Sequence, residues 1–395
     1  AQTVEEDLSR RDFTVNAIAM NIGENRERET SEKSPSLIDP FDGQKDIEAK
    51  LIRAVGNANE RFEEDALRML RAVRIAITLG FEIEKETASA ITRHGQSLKL
   101  ISKERVRDEF IKIISSNNAQ KGIELLRARG LLRCFLPEIE EGIDIGQNKH
   151  HIYTVWEHNL RALDYAAKEK YEPLIRLAAL FHDIAKPRSK RGDGYDSTFY
   201  GHDVLGAKMT IEVMERLKFS HSEIEKVSKL VRWHLFNYDI DTDDATTDSS
   251  IRRLIRNVGE ENIADLVRVR ICDRIGSGVP KAVPYRLRHF QYRVEKVLRE
   301  KEAVRVTMLK INGEDIIKIL NIPPGPKIGH ILNALLEEAL DDSSKNTSEY
   351  LLMRVPELGK FSEKELIGLR KKAEEKVELV EGERQEGIKK KYHIT

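Results

Sequence analysis

The chain has 395 residues, with 67 Lys and Arg against 67 Asp and Glu, so its formal net charge is zero. That length predicts roughly two to four domains, and no apolar run approaches the roughly 20 residues a membrane-spanning helix needs. Two cysteines, Cys134 and Cys272, exclude a disulfide framework and point to a reducing cytoplasm. Zero net charge does not exclude nucleic acid, because a local basic face matters more than the total.

Residues 1–56 read as short apolar strands broken by polar loops. "FTVNAIAMNI" is a strand or strand–helix piece, "ENRERETSEKSPS" a solvated loop, and "LIDPFDGQKDIEAKLIRAV" a Pro-Phe-Asp-Gly turn followed by a strand-like run. These pieces are too few to close a sheet alone. The opening "AQTVEEDLSRRDF" has neither an initiating Met nor a signal-peptide pattern, and the expectation is a chain that has lost a first segment.

From residue 57 the pattern turns helical. Leu67, Leu70, Val73 and Ile77 form one stripe that Gly80 stops, and Ser102 stands in a capping position before "KERVRDEFIKIISS". With the short amphipathic run "AQKGIELLRARGLL", residues 57–138 read as a helical neck.

Residues 139–280 carry metal-ligand residue types on several helical runs. His158 lies in "YTVWEHNLRALDYA", and His182-Asp183 end the apolar run "LIRLAALFHDIAKP", where Pro187 should stop the helix. His202 follows Gly201 at a helix start, His234 comes late in a helix, and Asp273 falls in a buried-looking run. A lone His is more often a satisfied core or surface residue. Imidazole and carboxylate together can hold a divalent metal that activates water or binds phosphate. The order H…HD…H…H…D resembles the binuclear HD phosphohydrolases. His158, His182, Asp183 and Asp273 are expected to hold one ion. His202 and His234 would complete a second or contact phosphate. The mixed donors suit Mn, Ni, Zn or Mg. Lys186 and Arg188 either neutralise a bound phosphate or simply face a helix dipole. His150 and His151 could approach the same pocket, whereas His221 belongs to a helix cap region.

Residues 281–395 form a further helical region. "YRLRHFQYRVEKVLREK" interleaves cations with aromatics, as does "RNVGEENIADLVRVR" less densely, a composition suited to a phosphate backbone and exposed bases. A Pro-Pro-Gly-Pro turn connects two helices, and from about Lys360 a mixed-charge, solvated helix follows.

In "EDALRMLR", Asp65 and Arg68 stand three apart, which puts them on one face of a helix. A carboxylate only accepts hydrogen bonds and a guanidinium only donates. One acceptor beside one donor would admit cytosine and adenine and reject uracil and guanine; the bland alternative is a surface ion pair. Four motifs then occur in order: "RRDFTVNAIA", "DPFDGQKDI", "RFEEDALRMLRAVR" and "SKERVRDEF". Together they resemble the class II tRNA nucleotidyltransferases, the CCA-adding enzymes and bacterial poly(A) polymerases, in the branch that carries an HD domain. The resemblance covers about residues 3–355.

The resemblance implies roles position by position. Arg11, Asp12 and Asn16 would lie near the nucleotide sugar and phosphates, Asp65 and Arg68 would pair with the incoming base, and Arg71 would reach towards phosphate. "DPFDGQKDI" matches a flexible turn, and Glu104 and Arg105 match a brace between neck helices. The family's transfer chemistry uses two carboxylates on a strand, after a glycine turn, holding Mg2+. Here the Asp-x-Asp candidate is Asp239-Ile-Asp241, assigned to a loop. The carboxylate strand is therefore expected upstream of Ala1, and the chain as printed would bind a nucleotide without transferring it.

The expected fold class is α+β, predominantly α-helical. Its parts are residues 1–56, the end of a nucleotidyltransferase head; 57–138, the neck; 139–280, an HD domain whose His182 and Asp183 serve hydrolysis and which holds a transition metal such as Ni2+ or Mn2+; and 281–395, a tRNA-binding body. The expected activity is CCA addition to tRNA from CTP and ATP in the cytoplasm, by a monomer or homodimer with no membrane association. The alternatives are poly(A) synthesis, partial addition of C or A, a stand-alone metal phosphohydrolase, and a silent RNA-binding protein.

Overall fold

A computed structural model describes residues 3–21, 36–147, 152–192, 194–239, 246–279, 282–302, 309–341, 343–362, 364–368 and 386–394. The chain forms two compact units, Ala1–Phe236 with Ile255–Ala282, and Asn237–Leu254 with Val283–Thr395. Helix predominates, with a few short strands, as the periodicity predicts.

In the first unit, helix α1 (Val4–Ser9) starts where the Thr3 hydroxyl accepts the Glu6 amide at 3.2 Å. Strands β1 (Ala19–Asn21) and β2 (Ser36–Ile38) pair antiparallel with Ala19 opposite Ile38. Helix α2 (Gly43–Glu48) precedes β3 (Leu51–Ile52), which runs parallel to β4 (Glu82–Ile83). The "DPFDG" turn is a built structure. Asp39 accepts the Gly43 amide at 2.7 Å and the Gln44 amide at 2.9 Å. A Cβ at Gly43 would fall on the Thr14 carbonyl oxygen, so only glycine lets this turn sit against the "RRDFTVNA" segment.

The neck helices are α3 (Ala58–Glu64), α4 (Leu67–Leu79), α5 (Lys85–His94), α6 (Lys103–Ser115), α7 (Ala119–Ala128) and the short α8 (Pro137–Glu140). Leu67, Leu70, Val73 and Ile77 are all buried, and Gly80 closes α4 at φ 69°. Ser102 occupies the cap position of α6 but makes no side-chain cap bond.

The remaining helices of this unit are α9 (Val155–Lys168), α10 (Pro173–Phe181), α11 (Lys186–Ser189), α12 (His202–Arg216), α13 (His221–Trp233), the C-terminal part of α14 (Asp248–Val258) and α15 (Ile263–Gly276). Buried side chains surround α10, which packs against α6, α9, α13 and α15. A helix apolar on all sides belongs at the centre, and its C-terminal end delivers His182 and Asp183 there. Pro187 does not end α10. That helix stops at Phe181, and Pro187 instead opens α11, where its fixed φ suits a first turn.

The second unit contains α16 (Tyr285–Glu302), α17 (Gly313–Leu320), α18 (Pro326–Asp341) and α19 (Ser348–Leu358). Ile316, Ile331, Leu335, Leu351 and Val355 form its core. The Pro-Pro-Gly-Pro turn joins α17 to α18. His150, His151, Asp241, most of "ENRERETSEKSPS" and residues 369–385 lie outside the described residues.

Candidate functional site

Five helices deliver the six His/Asp residues to one buried place. His158 comes from α9, His182 and Asp183 from the end of α10, His202 from the first residue of α12, His234 from the end of α13 and Asp273 from α15. Each is less than a tenth exposed. Asp183 sits in the middle. Its Oδ2 lies 3.2 Å from His158 Nε2 and 3.3 Å from His182 Nε2, while its Oδ1 lies 3.3 Å from His202 Nε2 and 3.6 Å from His234 Nε2. Asp273 Oδ1 faces His158 and His182 at 3.4 and 3.7 Å. Two triads result: His158, His182 and Asp273, and Asp183, His202 and His234. The sequence reading put Asp183 wholly with the first set. The structure has it facing both, because α12 and α13 approach the opposite edge of the carboxylate.

The backbone fixes which ring nitrogens face inward. His182 Nδ1 lies 2.8 Å from the Ala179 carbonyl, His202 Nδ1 2.6 Å from Phe199 O, and His234 Nδ1 2.7 Å from Val231 O. A carbonyl only accepts, so each Nδ1 donates and each Nε2 faces the centre, where it offers a lone pair once the ring is neutral; for His182 that requires a metal to displace its second proton. His202 Nε2 and His234 Nε2 are buried and make no hydrogen bond. Burial holds the His234 pKa below the ordinary histidine value, which keeps it neutral. Burial disfavours the charged form of Asp183, yet Lys186 and His182 beside it hold its carboxyl well below the usual range. For Asp273 burial is likewise outweighed, chiefly by Arg270. Burial also opposes the His182 cation, but Asp183 and Asp273 push that pKa up to about 10. Imidazole lone pairs converging on ionised carboxylates, with buried acceptors lacking donors, fit divalent cations.

A cavity of about 530 Å³ opens beside this cluster, lined by Asp183, Lys186, Phe199, Tyr200, His202 and Arg274, among others. Lys186 is buried, forms an ion pair with Asp183 Oδ2 at 2.6 Å and donates a hydrogen bond to Gln147 Oε1 at 2.6 Å. It braces a candidate ligand. Arg188 points elsewhere, onto Glu141 through bonds of 2.8 and 2.7 Å. Gly276 allows α15 to approach α9, since a Cβ there would lie 2.8 Å from His158 O and 3.1 Å from its ring. Sequence reasoning missed Arg270 and Arg274; their i,i+4 spacing around Asp273 was the available signal.

A second constellation joins the first motif to the neck. Arg71 Nε and Nη2 reach Asp12 Oδ2 at 2.7 and 2.6 Å, and Asn16 Nδ2 reaches Asp12 Oδ1 at 3.3 Å. Arg68 Nη2 donates to the Arg10 carbonyl at 3.1 Å and Nη1 to Glu64 Oε2 at 2.7 Å. Two expectations change. Asp65 and Arg68 do not share one helix: Asp65 is extended (φ −151°) between α3 and α4, where its Oδ1 accepts the Leu67 amide at 3.1 Å. Its Oδ2 pairs with Arg105 Nη2 at 2.7 Å. Arg11 is turned away from Asp12 and pairs with Asp7 at 2.6 Å. In the second unit, Arg286 and Arg293 of α16 pair with Asp239 and Asp248, so part of that cationic composition is structural.

Residues 1–53 match the "Poly A polymerase head domain", 80–143 the "Probable RNA and SrmB- binding site of polymerase A", and 155–277 the "HD domain". The A-adding tRNA nucleotidyltransferase of Deinococcus radiodurans is 34% identical over 348 residues, which are 85% of this chain and 75% of that protein. The chain belongs to the tRNA nucleotidyltransferase family. The CC-adding tRNA nucleotidyltransferase of Thermus thermophilus is 31% identical to this nucleotidyltransferase over 343 residues, 85% of this chain and 73% of the other. The crystal structure of the Bacillus stearothermophilus CCA-adding enzyme in complex with CTP superposes with a TM-score of 0.50 at 25% identity, covering 90% of this chain and 75% of that one. Among the described residues of the nucleotidyltransferase, no helix is long and apolar enough to cross a membrane.

Proposed function

We propose that the protein extends tRNA 3′ ends with C and A from CTP and ATP, and that its HD segment is a metal-dependent phosphohydrolase. The observation that carries the first part is the Arg71–Asp12 pair at 2.6 Å, which joins the two motifs of the nucleotide face. In this reading Asp65 and Arg68 select the base, Asp12, Asn16 and Arg71 organise the sugar and phosphate side, and Arg11 approaches from the rim. The division into head (1–56), neck (57–138), HD segment (139–280) and tRNA-binding body (281–395) belongs to the same reading, as do Mg2+ for transfer, a cytoplasmic setting and a monomer or homodimer. The test is incubation of the full-length protein, carrying the carboxylate strand expected upstream of Ala1, with tRNA lacking its CCA end and with CTP and ATP separately and together. Growth by C, C and A supports the proposal; no extension rejects it.

A second reading is partial addition, favoured because the two relatives above are named A-adding and CC-adding. The same assay separates them. A-only extension of tRNA ending in CC, or arrest after CC, selects a partial enzyme.

In the HD segment, His158, His182 and Asp273 would hold one divalent ion, and Asp183, His202 and His234 a second. Ions such as Ni2+ or Mn2+ supply Lewis acidity towards a phosphoryl oxygen and acidify bound water. His182 and Asp183 orient the pair through their carbonyl and lysine contacts. His182→Ala with Asp183→Ala should abolish metal-dependent phosphatase activity while nucleotide addition continues. Loss of both activities from a folded variant would contradict two separate sites.

A further inference from the structure

Helix α6 touches the supports of both constellations. Near its start, Arg105 Nη2 pairs with Asp65 Oδ2 at 2.7 Å. Two residues on, Arg107 donates to the Lys218 carbonyl and lies 6.0 Å from the Phe219 ring centre. Lys218 and Phe219 lie in the turn that joins α12 to α13, and the far ends of that hairpin carry His202 and His234. At the other end of α6, the carbonyls of Ile114 and Ser116 accept from Arg176 Nη1 at 3.0 and 2.8 Å. Arg176 belongs to α10, and His182 and Asp183 follow it in the chain.

Arg176 is the charged residue of an otherwise apolar helix, "PLIRLAALF", and it is 5% exposed. Burial strips a guanidinium of its hydration and pushes its pKa down against the pull of Glu172. Its Nε donates to a further carbonyl, that of Tyr171, at 2.7 Å. The last carbonyls of a helix lack intrahelical partners and carry the negative end of its dipole. A cation from the HD segment therefore caps a helix of the neck. This ties α10 to α6 by charge-assisted bonds as well as by packing.

Helix α6 has 13 residues, a rod of about 20 Å, so its two ends move together. The cluster is assembled in the state where Arg105 holds Asp65. Occupation of the cluster favours that state and, through Arg176 and Arg107, fixes α6 in it. A base that takes Asp65 must displace Arg105, and it favours a state in which α6 gives way. Ligands that favour opposite states of one element weaken each other reciprocally.

We propose that α6 links the two sites, with Arg176 and Arg107 as positioning residues, so that divalent-metal loading at the His/Asp cluster and CTP or ATP binding at Asp65 oppose each other. The inference rests on the nucleotide-face and metal readings given above and adds that neither site is set independently of the other.

The test measures the CTP affinity of the full chain by fluorescence competition. The protein is taken first metal-free, then loaded with Mn2+ and dialysed to remove unbound ion, with bound Mn2+ counted in each sample. CTP should bind about two- to fivefold more weakly to the loaded protein, the span that one exposed ion pair can supply. Arg105→Ala should bind CTP equally in both forms, because the competing contact is gone. Arg176→Met keeps the stem and removes the donors, and should bring the factor to about one; Arg176→Lys should retain part of it. Arg107→Ala should also lower the factor, and it carries the test if Arg176→Met does not fold. Equal CTP affinities in the two wild-type forms, with both ligands bound, overturn the inference and leave the two readings intact. So does a factor that both Arg176→Met and Arg107→Ala leave unchanged, which would make these arginines packing residues only. An equal Mn2+ effect in the His182→Ala, Asp183→Ala variant would trace it to the ion on the nucleotide and likewise overturns the inference. A wild-type chain that takes up no Mn2+ rejects the metal reading, and one that binds no CTP rejects the nucleotide face; either removes the linkage with it.

Discussion

Arg105 Nη2 holds Asp65 Oδ2 at 2.7 Å across 40 residues of sequence. The brace motif and the proposed base-reading carboxylate are therefore one contact. In the proposed reading, Arg105 and an exocyclic base amine would compete for the same carboxylate. Arg105→Ala should raise affinity for CTP and ATP by up to about fivefold and cost no more than about 1 kcal/mol of stability, the upper range for an exposed pair. Fluorescence competition and urea unfolding measure the two. Weaker nucleotide binding in the variant would mean that Arg105 serves the site and does not occlude it.

The Asp12–Arg71 pair is mostly sheltered on the Asp12 side. Asp12→Ala leaves a partly buried guanidinium without its carboxylate, which should cost about 1–3 kcal/mol. A double-mutant cycle with Arg71→Ala should give a coupling of at least about 0.5 kcal/mol. Additivity in that cycle would show that the two motifs are held together by other contacts.

Gly276→Ala tests the close approach of α15 to α9. The added methyl would press on His158, and overpacking of this kind costs about 1–3 kcal/mol. Divalent-metal uptake should fall, as measured by equilibrium dialysis, because His158 leaves its position opposite Asp183. Wild-type metal content in this variant would remove His158 from the ligand set.

Asp39 predicts a pH effect. Burial opposes its charge, but the Gln44 and Gly43 amides hold its pKa below the model-peptide value of 3.8. Its contribution is present above about pH 4 and is lost as pH falls through the lower folded-state pKa. Asp39→Ala should cost about 0.5–2 kcal/mol at neutral pH, as for a lost helix-cap acceptor, and should flatten the acid limb of the stability curve below about pH 4. An unchanged acid limb would show that those amides are satisfied without it.

Much of this architecture was legible from spacing. The stripe from Leu67 to Ile77 and the stop at Gly80 follow from helical periodicity, and His202 at a helix start follows from the preceding glycine. Tertiary geometry was not legible in the same way. Asp65 left the helix because a carboxylate beside free amides caps the next helix, a choice that spacing cannot decide. Pro187 was read as a terminator when it is an initiator, because proline tolerates a first turn as readily as it breaks a later one. The bridging position of Asp183 depends on α12 and α13 arriving on its far edge, which no local pattern encodes.

That bridging carboxylate has a consequence for loading. Its two oxygens belong to one rigid plane, so an ion captured on one edge fixes the orientation of the other. In the proposed binuclear site the two triads should therefore fill together, with a steep rather than a graded uptake curve. A single change at Asp183 should empty both, and by the same coupling His202→Ala should also weaken uptake at the site around His158.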